Sequence, residues 1–395
     1  MRFTGHSRGA LLAPAAVGLI GLLVACSSTP AHVPADPRAA AASDTVQVSV
    51  DGCGSGWTDT AAGEQHLAFQ NTDSRPGEAQ LLDSRGALLA DVEPLGPNTT
   101  DDITISLAAG SYHVRCLMED EAAVDGPTVI LTGPGRADNP GVVPLSQSDL
   151  VHVTQQYEHY VVTSLPVVAR RVTRLRADVV RGHLAKARKD WLPAHLAYER
   201  LGAAYNAFGD LDGAINGLPN GLPAGVHDKH WTGFHRVEYA LWHGASAKSI
   251  LPLVDTLHSD VDKLHVQFAD TEIDPLDMSI RAHEISENAL QFELTGETDF
   301  GSHTNLATVS ANLDGTTVVL HILKKIITAR PLHYGAIIAG LNHAKALVTA
   351  QDVHGRWTPL DALTRTQRER IDSAISELCE LLAPVASGLE PRKTS

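Results

Sequence analysis

The sequence predicts a multidomain chain, in which a small antiparallel β-sandwich precedes an all-α helical bundle. Three observations support this division. Short runs of alternating apolar and polar residues recur between positions 45 and 133. A stretch rich in proline and glycine then covers positions 134–148. From position 149 to about 390, apolar residues recur at helical spacing in long segments.

The first 25 residues have the features of a secretory signal peptide. Basic residues precede an apolar stretch at 10–25, and no acidic residue occurs before Asp36. Small residues stand directly before Cys26, which resembles a bacterial lipobox with Cys26 as the lipidated residue. An ordinary signal peptide followed by a chance cysteine is the alternative. We expect an extracytoplasmic protein, anchored to the cell membrane by an N-terminal lipid, with residues 27–44 as a flexible tether.

Short strands account for the next part of the chain. Residues 46–50, 103–107 and 112–116 alternate between apolar and polar side chains, and 128–131 reads as a closing strand. Several short strands within about 90 residues are typical of a small antiparallel sandwich.

Two cysteines fall on separate predicted strands of this sandwich. Cys53 and Cys116 would face an oxidising compartment, where a disulfide is one interpretation. The alternative is a pair of soft ligands for copper or iron, with Glu78 as a further ligand. A blue-copper site needs two histidines near the cysteine; only His113 lies close in the sequence, so we do not expect one.

The helical part is predicted from nine segments with helical periodicity. The first segment ends at 165, the second begins at 168, and the last covers 364–386. Nine or so helices in about 240 residues indicate packed helical bundles.

Composition limits the function. There are 31 Lys and Arg against 46 Asp and Glu, a net charge of −15, which disfavours nucleic acid as a partner and is compatible with cation capture. Only 5% of residues are aromatic, which disfavours stacking of sugars in a polymer-binding protein.

A His-x-x-Glu pair is the most informative chemical motif. His235 and Glu238 stand three residues apart on a predicted helix, so their side chains share one face and suit one metal ion. The spacing alone is also compatible with a surface ion pair or a core histidine, since the chain has 20 histidines.

Several segments in order resemble the imelysin-like helical domain, and most of all its EfeO branch, the iron-binding component of EfeUOB-type uptake systems. They include the Tyr198-Glu199-Arg200 triplet and the His235 motif. The full set is 196–200, 208–216, 232–242, 281–288, 302–306 and 311–315. The preceding sandwich resembles the cupredoxin-like domain of longer EfeO proteins.

The resemblance implies an iron-binding cleft between helices. Its ligands would be Glu199, His235 and Glu238. Asn216 could add its amide oxygen and Asp212 a carboxylate, with helix capping as the alternative role of Asp212. The chain has Gly202 and Asn216 where relatives often carry acids, which should weaken binding of ferric ion. The resemblance also implies two partners, an iron permease and a haem peroxidase of the same system.

Other residues and functions remain open alternatives. His283, Glu284 and Glu287 form a helical cluster, and Ser302 to Thr304 opens a segment; both sets fit either the cleft or a structural role. We expect no enzymatic activity. The alternative is a zinc peptidase, because the imelysin family is classed with peptidases (M75), although the sequence contains no His-Glu-x-x-His motif.

Overall fold

The computed structural model describes residues 44–138 and 141–389. The predicted signal peptide, Cys26 and nearly all of the predicted tether therefore lie outside the described residues. The strands run from Asp44 to Leu131 and the first helix begins at Gln147, in the predicted order of β-sandwich, linker and helical domain.

Two sheets share one hydrophobic core in the β region. One sheet has the strand order β1-β2-β5; the other has the order β4-β3-β6-β7, with β8 paired to β6. The strands are β1 (Asp44–Val48), β2 (Gly63–Asn71), β3 (Gly77–Asp83), β4 (Leu88–Leu95), β5 (Thr100–Leu107), β6 (Gly110–Met118), β7 (Val124–Asp125) and β8 (Val129–Leu131).

One strand pair departs from the predicted antiparallel arrangement. β1 and β2 are parallel, whereas the other named pairs are antiparallel. The segment after β1 folds back along it, since the backbone N–H of Gln47 donates to the carbonyl of Ser55, and the carbonyl of Gln47 accepts the N–H of Gly54. This return brings the chain to the starting end of β1, and a connection of about a dozen residues is what a parallel pair requires.

Ten α-helices follow in the described residues, sharing one hydrophobic core. They are α1 (Gln147–Val180), α2 (Leu184–Glu199), α3 (Tyr205–Phe208), α4 (Asp210–Asn216), α5 (Gly233–Trp242), α6 (Ala247–Gln267), α7 (Pro275–Asn288), α8 (Asn305–Thr328), α9 (Tyr334–Thr349) and α10 (Arg365–Gly388). A π-helical turn, Ala289–Glu293, extends α7.

The predicted interruption near position 166 is wrong, because α1 continues through Pro166. The buried stripe continues on both sides of the proline, with Leu165, Val168 and Val172 fully buried. Burial of this stripe outweighs the one hydrogen bond that a proline removes. The helix begins at a capping box between Ser146 and Asp149.

Within residues 44–138 and 141–389, one helix is long and apolar enough to cross a membrane by length and composition. It is α8, and 61% of its apolar window is buried inside the protein. Such burial is what a core helix of a helical bundle shows.

Candidate metal-binding site

A cavity of about 140 Å³ lies among the helices. It is large enough for a metal ion with a few waters, since a water occupies about 30 Å³ of liquid. The side chains on its wall combine acids, amides, an imidazole and a guanidinium. The polar and aromatic ones are Glu199, Tyr205, Asn216, His235, Arg281, Asn288, Phe292, Glu293, Thr298 and Asn312.

A glycine fixes the position of the histidine helix. Gly233 begins α5 with a φ of +87°, and a Cβ there would lie 2.3 Å from the carbonyl oxygen of Ile215. Only glycine tolerates both the conformation and this approach. The close contact brings the start of α5 against the end of α4, so His235 and Asn216 line the same cavity. Trp191 also donates its indole N–H to the carbonyl of Phe234, at 3.0 Å.

Glu199 is the centre of the hydrogen-bond network. Its Oε1 lies 3.0 Å from His195 Nε2 and accepts from Asn216 Nδ2 at 2.7 Å, and its Oε2 accepts from Asn312 Nδ2 at 2.8 Å. Burial by itself raises the pKa of Glu199, but His195 and the two amides outweigh it and lower the pKa to about 2. Glu199 is therefore an ionised carboxylate at neutral pH. A carboxylate has about four lone-pair sites, so these three contacts leave room for a cation.

Glu293 is a second acid on the cavity wall. The π-helical turn Ala289–Glu293 carries it, and Asn305 Nδ2 donates to its Oε2 at 3.1 Å. Removal from water and the negative charge of Glu199 raise its pKa to about 8, against the opposing effects of Thr298 and His195. The two acids of the cavity thus differ in charge at pH 7.

The His-x-x-Glu pair is divided between the cavity and the protein interior. His235 lines the cavity, but Glu238 is not among the lining residues. Glu238 is buried, and its Oε1 accepts the backbone N–H groups of Phe300 and Ser302, at 3.1 and 3.0 Å. The distance from His235 Nδ1 to Glu238 Oε2 is 3.5 Å.

Asp212 lies beside the cavity rather than on its wall. Its Oδ1 accepts the Tyr198 hydroxyl at 2.6 Å, and it lines a neighbouring hollow with Arg281 and Asn288. Burial raises the pKa of Asp212 to about 6, and the Tyr198 hydrogen bond partly offsets this effect. Asp212 is not the N-cap of α4, a position that Gly209 occupies.

The remaining predicted candidates have structural contacts. Glu284 pairs with Arg281 at 2.9 Å, and Glu287 lies 3.6 Å from His283. Arg281 lines the cavity, whereas Glu284, Glu287 and His283 do not. Thr304 stands at the N-cap position of α8 without a side-chain capping bond. Its hydroxyl instead lies 2.8 Å from that of Ser302.

Gly202 lines the cavity. A Cβ on Gly202 would meet the Ile285 side chain at 3.2 Å, so an added side chain requires a small shift there. The Gly202 carbonyl accepts two hydrogen bonds from the Arg281 guanidinium, at 3.0 and 2.9 Å. The cavity wall thus has a cation, the Arg281 guanidinium, next to Gly202.

Three residues of this network were not predicted from the sequence. His195 precedes Glu199 by four positions on α2, a helical spacing that could have indicated their contact. Asn312 lies in one of the segments that resemble relatives, which could have marked it. Glu293 has no sequence signal, because its orientation depends on the π-helical turn.

The two cysteines of the β region form a disulfide, with a Cα–Cα distance of 5.8 Å. Of the two alternatives the structure gives the disulfide, so Cys53 and Cys116 are not free thiolate ligands. Copper in the small domain therefore has no support.

Glu78 lies in an acidic cluster instead. Ligand oxygens of Glu78, Asp91 and Glu93 lie within 4.8 Å of one another, with burial decreasing from Glu78 to Glu93.

Comparison with protein families gives a match to the imelysin family model, peptidase M75, over residues 153–385. This range covers more than half of the chain. The chain belongs to the imelysin family.

Curated relatives of this imelysin protein carry a common description. The iron uptake system component EfeO of Escherichia coli O157:H7 is 24% identical over 330 residues, covering 82% of this chain and 84% of the relative. The EfeO component of Yersinia pestis is 25% identical over 325 residues, with the same coverage. These similarities extend beyond the helical domain into the β region, because 330 residues exceed the length of the family match.

Proposed function

We propose that this imelysin-family protein is an extracytoplasmic component of an iron uptake system, which binds iron in the helical cavity and delivers it to a membrane permease. The relatives named as iron uptake components support a role in iron uptake. Their similarity covers most of both chains, so the comparison applies to the two domains together.

The observation that carries the proposal is the set of donors on the cavity wall. Glu199, His235 and Asn216, three of the five residues predicted as ligands, line one cavity, and Glu293 joins them. Carboxylate, imidazole and amide oxygen are ligands that suit iron. Glu199 remains ionised because three donors stabilise its charge, so the cavity has a fixed anion that needs no deprotonation before a cation binds.

The location follows from the predicted N-terminus. Lipidation of Cys26 and a tether at 27–44 would hold the protein at the outer face of the membrane. The disulfide between Cys53 and Cys116 supports an oxidising, extracytoplasmic compartment. We further propose, by family resemblance, that an iron permease and a haem peroxidase are partners there.

The relatives' names fit a protein that is not an enzyme, whereas the family label includes peptidases. No observation on the described cavity favours proteolysis over iron binding, and the sequence has no His-Glu-x-x-His motif. We therefore propose binding and delivery as the function.

Anaerobic calorimetric titration of the mature protein with ferrous iron tests the proposal. Glu199→Gln removes the fixed anion while keeping the side-chain volume, and we expect affinity to fall about 100-fold or more, at or beyond the range typical of changes around metal ligands. Glu78→Gln is the matched control, a buried glutamate of the β region, and should leave the high-affinity site unchanged. Equal affinity in wild type and Glu199→Gln would contradict the proposal.

A further inference from the structure

We infer that Glu238 is a positioning residue that holds His235 by its Nδ1–H, so that the histidine binds the cation through Nε2 and Glu238 itself stays outside the coordination sphere. This inference deepens the proposed function and rests on it. It gives the two members of the His-x-x-Glu pair different roles, although they share one helix.

The cavity wall is the first evidence. His235 lines the cavity and Glu238 does not. Both side chains are nearly fully buried, with 3% and 1% of their surface exposed. A carboxylate away from the wall is badly placed to reach a cation that the other wall residues share.

The two facing atoms of the pair are the second evidence. His235 Nδ1 and Glu238 Oε2 are both buried, and neither has a hydrogen-bond partner among the described residues. They lie 3.5 Å apart, slightly longer than an ordinary N–H···O contact. A proton on Nδ1 satisfies both atoms at once, whereas a proton on Nε2 leaves two buried acceptors facing each other.

The orientation of the imidazole follows from that tautomer. Because Nδ1 is buried and faces Glu238, the other edge of the ring, which carries the Nε2 lone pair, is the edge available to the cavity. Histidine ligands of metals generally donate their second ring N–H to a carboxylate or carbonyl, which fixes the tautomer and raises ligand basicity. His235 and Glu238 provide the imidazole and the carboxylate that such an arrangement needs.

The carboxylate is itself held in place. Glu238 Oε1 accepts the backbone N–H groups of Phe300 and Ser302, and the Phe300 ring lies 5.4 Å from the His235 ring between centroids. Loop 298–304 therefore fixes Glu238 through Oε1 and leaves Oε2 for His235. The loop also contributes Thr298 to the cavity wall.

Cobalt(II) is a suitable probe, because its visible spectrum reports the ligand set and it shifts nearby proton signals strongly. We would load the mature wild-type protein with Co²⁺ and record proton NMR in H₂O and in D₂O. We expect one strongly shifted signal that disappears in D₂O, the Nδ1–H of a histidine bound through Nε2, and its loss in His235→Ala. A bound Co²⁺ without such a signal would overturn the inference, and this measurement needs no folded variant of Glu238.

The variant Glu238→Gln separates a positioning residue from a ligand. We expect Co²⁺ affinity to fall about 10- to 100-fold, as for other outer partners of metal-bound histidines, while the positions and intensities of the visible bands stay as in wild type. A changed band pattern, as from loss of an oxygen ligand, would overturn the inference and leave the proposed function intact. Absence of Co²⁺ and Fe²⁺ binding in the wild type would overturn both.

Asp299→Asn is the matched control for the loop. Asp299 accepts the backbone N–H groups of Gly301 and His303, at 2.8 and 3.0 Å, and so holds the same loop without facing the His235 ring nitrogen. We expect its Co²⁺ affinity to stay within about threefold of wild type, as for substitutions away from a site. An affinity loss equal to that of Glu238→Gln would assign the effect to the loop and contradict the inference.

Discussion

Glu199 in the helical cavity and Glu78 in the β region are both buried glutamates, but their surroundings act on them in opposite directions. Burial raises the pKa of Glu78 to about 7, and the neighbouring Asp91 adds to the rise, although Gln80 donates a hydrogen bond that opposes it. For Glu199 the donors from His195, Asn216 and Asn312 outweigh burial, and the pKa falls to about 2. The comparison teaches that donors, rather than the number of nearby acids, decide which carboxylate is ready for a cation.

The largest expected effect concerns the β region as a folded unit. The disulfide closes a loop with a sequence separation of 63, and the chain-entropy relation gives about 4 kcal/mol of stabilisation from a loop of that size. We expect reductant to accelerate amide hydrogen exchange in β3 and β6 and to leave α2 unchanged. Equally accelerated amide exchange in α2 would show that reduction of the disulfide also destabilises the helical domain.

The next effect is the loss of unfolding free energy of the helical domain at acid pH. The pKa of Glu199 is lower in the folded chain than its ordinary 4.5, so the stabilising contribution is fully present above pH 4.5 and is lost as pH falls toward 2. The difference corresponds to about 3 kcal/mol, of which about 2 kcal/mol is lost by pH 3.

Urea unfolding of metal-free wild type and Glu199→Gln at pH 6 and pH 3 measures this contribution. We expect the advantage of the wild type in free energy of unfolding to shrink at pH 3. An advantage independent of pH would show that the charge of Glu199 is not what the network stabilises.

A smaller effect of opposite sign concerns Glu293. Its pKa is raised to about 8, so the folded chain holds the proton more tightly, and stability declines as pH rises from 4.5 to 8. Glu293→Gln removes this decline, and we expect a gain of about 1 kcal/mol at pH 8, discounted because the side chain is partly exposed, and none at pH 4. Thermal unfolding of this variant and of the exposed control Glu297→Gln provides the measurement; a loss of stability at pH 8 would contradict the assignment.

The smallest effect tests what raises the pKa of Glu78. Burial is the larger cause and the charge of Asp91 a lesser one, so Asp91→Asn should lower the pKa of Glu78 by less than about one unit. A carboxyl-carbon NMR titration follows Glu78 directly. A return to the ordinary value of 4.5 would make charge repulsion the main cause.

The sequence predicted the order of the two domains because alternation and helical periodicity are local signals. Tertiary structure overruled local signals in two places. Burial of its apolar stripe carries α1 through Pro166, and the return of the segment after β1 lets β1 pair with β2 in parallel. Neither outcome depends on neighbouring residues alone.

Some residues of the cavity wall were singled out from the sequence, but the contacts that depend on the tertiary fold were not. Glu199, Asn216 and His235 line one cavity because their helices bring them there, and their role as iron ligands stays a prediction. The spacing of His235 and Glu238 correctly indicated a shared face, but it could not indicate that loop 298–304 holds Glu238 away from the cavity. Glu293 depends on a π-helical turn, for which the sequence has no signal.

Crystals of the mature protein soaked with ferrous iron under anaerobic conditions would test the central claim most directly, through anomalous diffraction at the iron absorption edge. We predict one strong anomalous peak in the helical cavity, within bonding distance of Glu199 and of Nε2 of His235. A well-occupied iron peak elsewhere, for example beside Glu78, with none in the cavity would contradict the account.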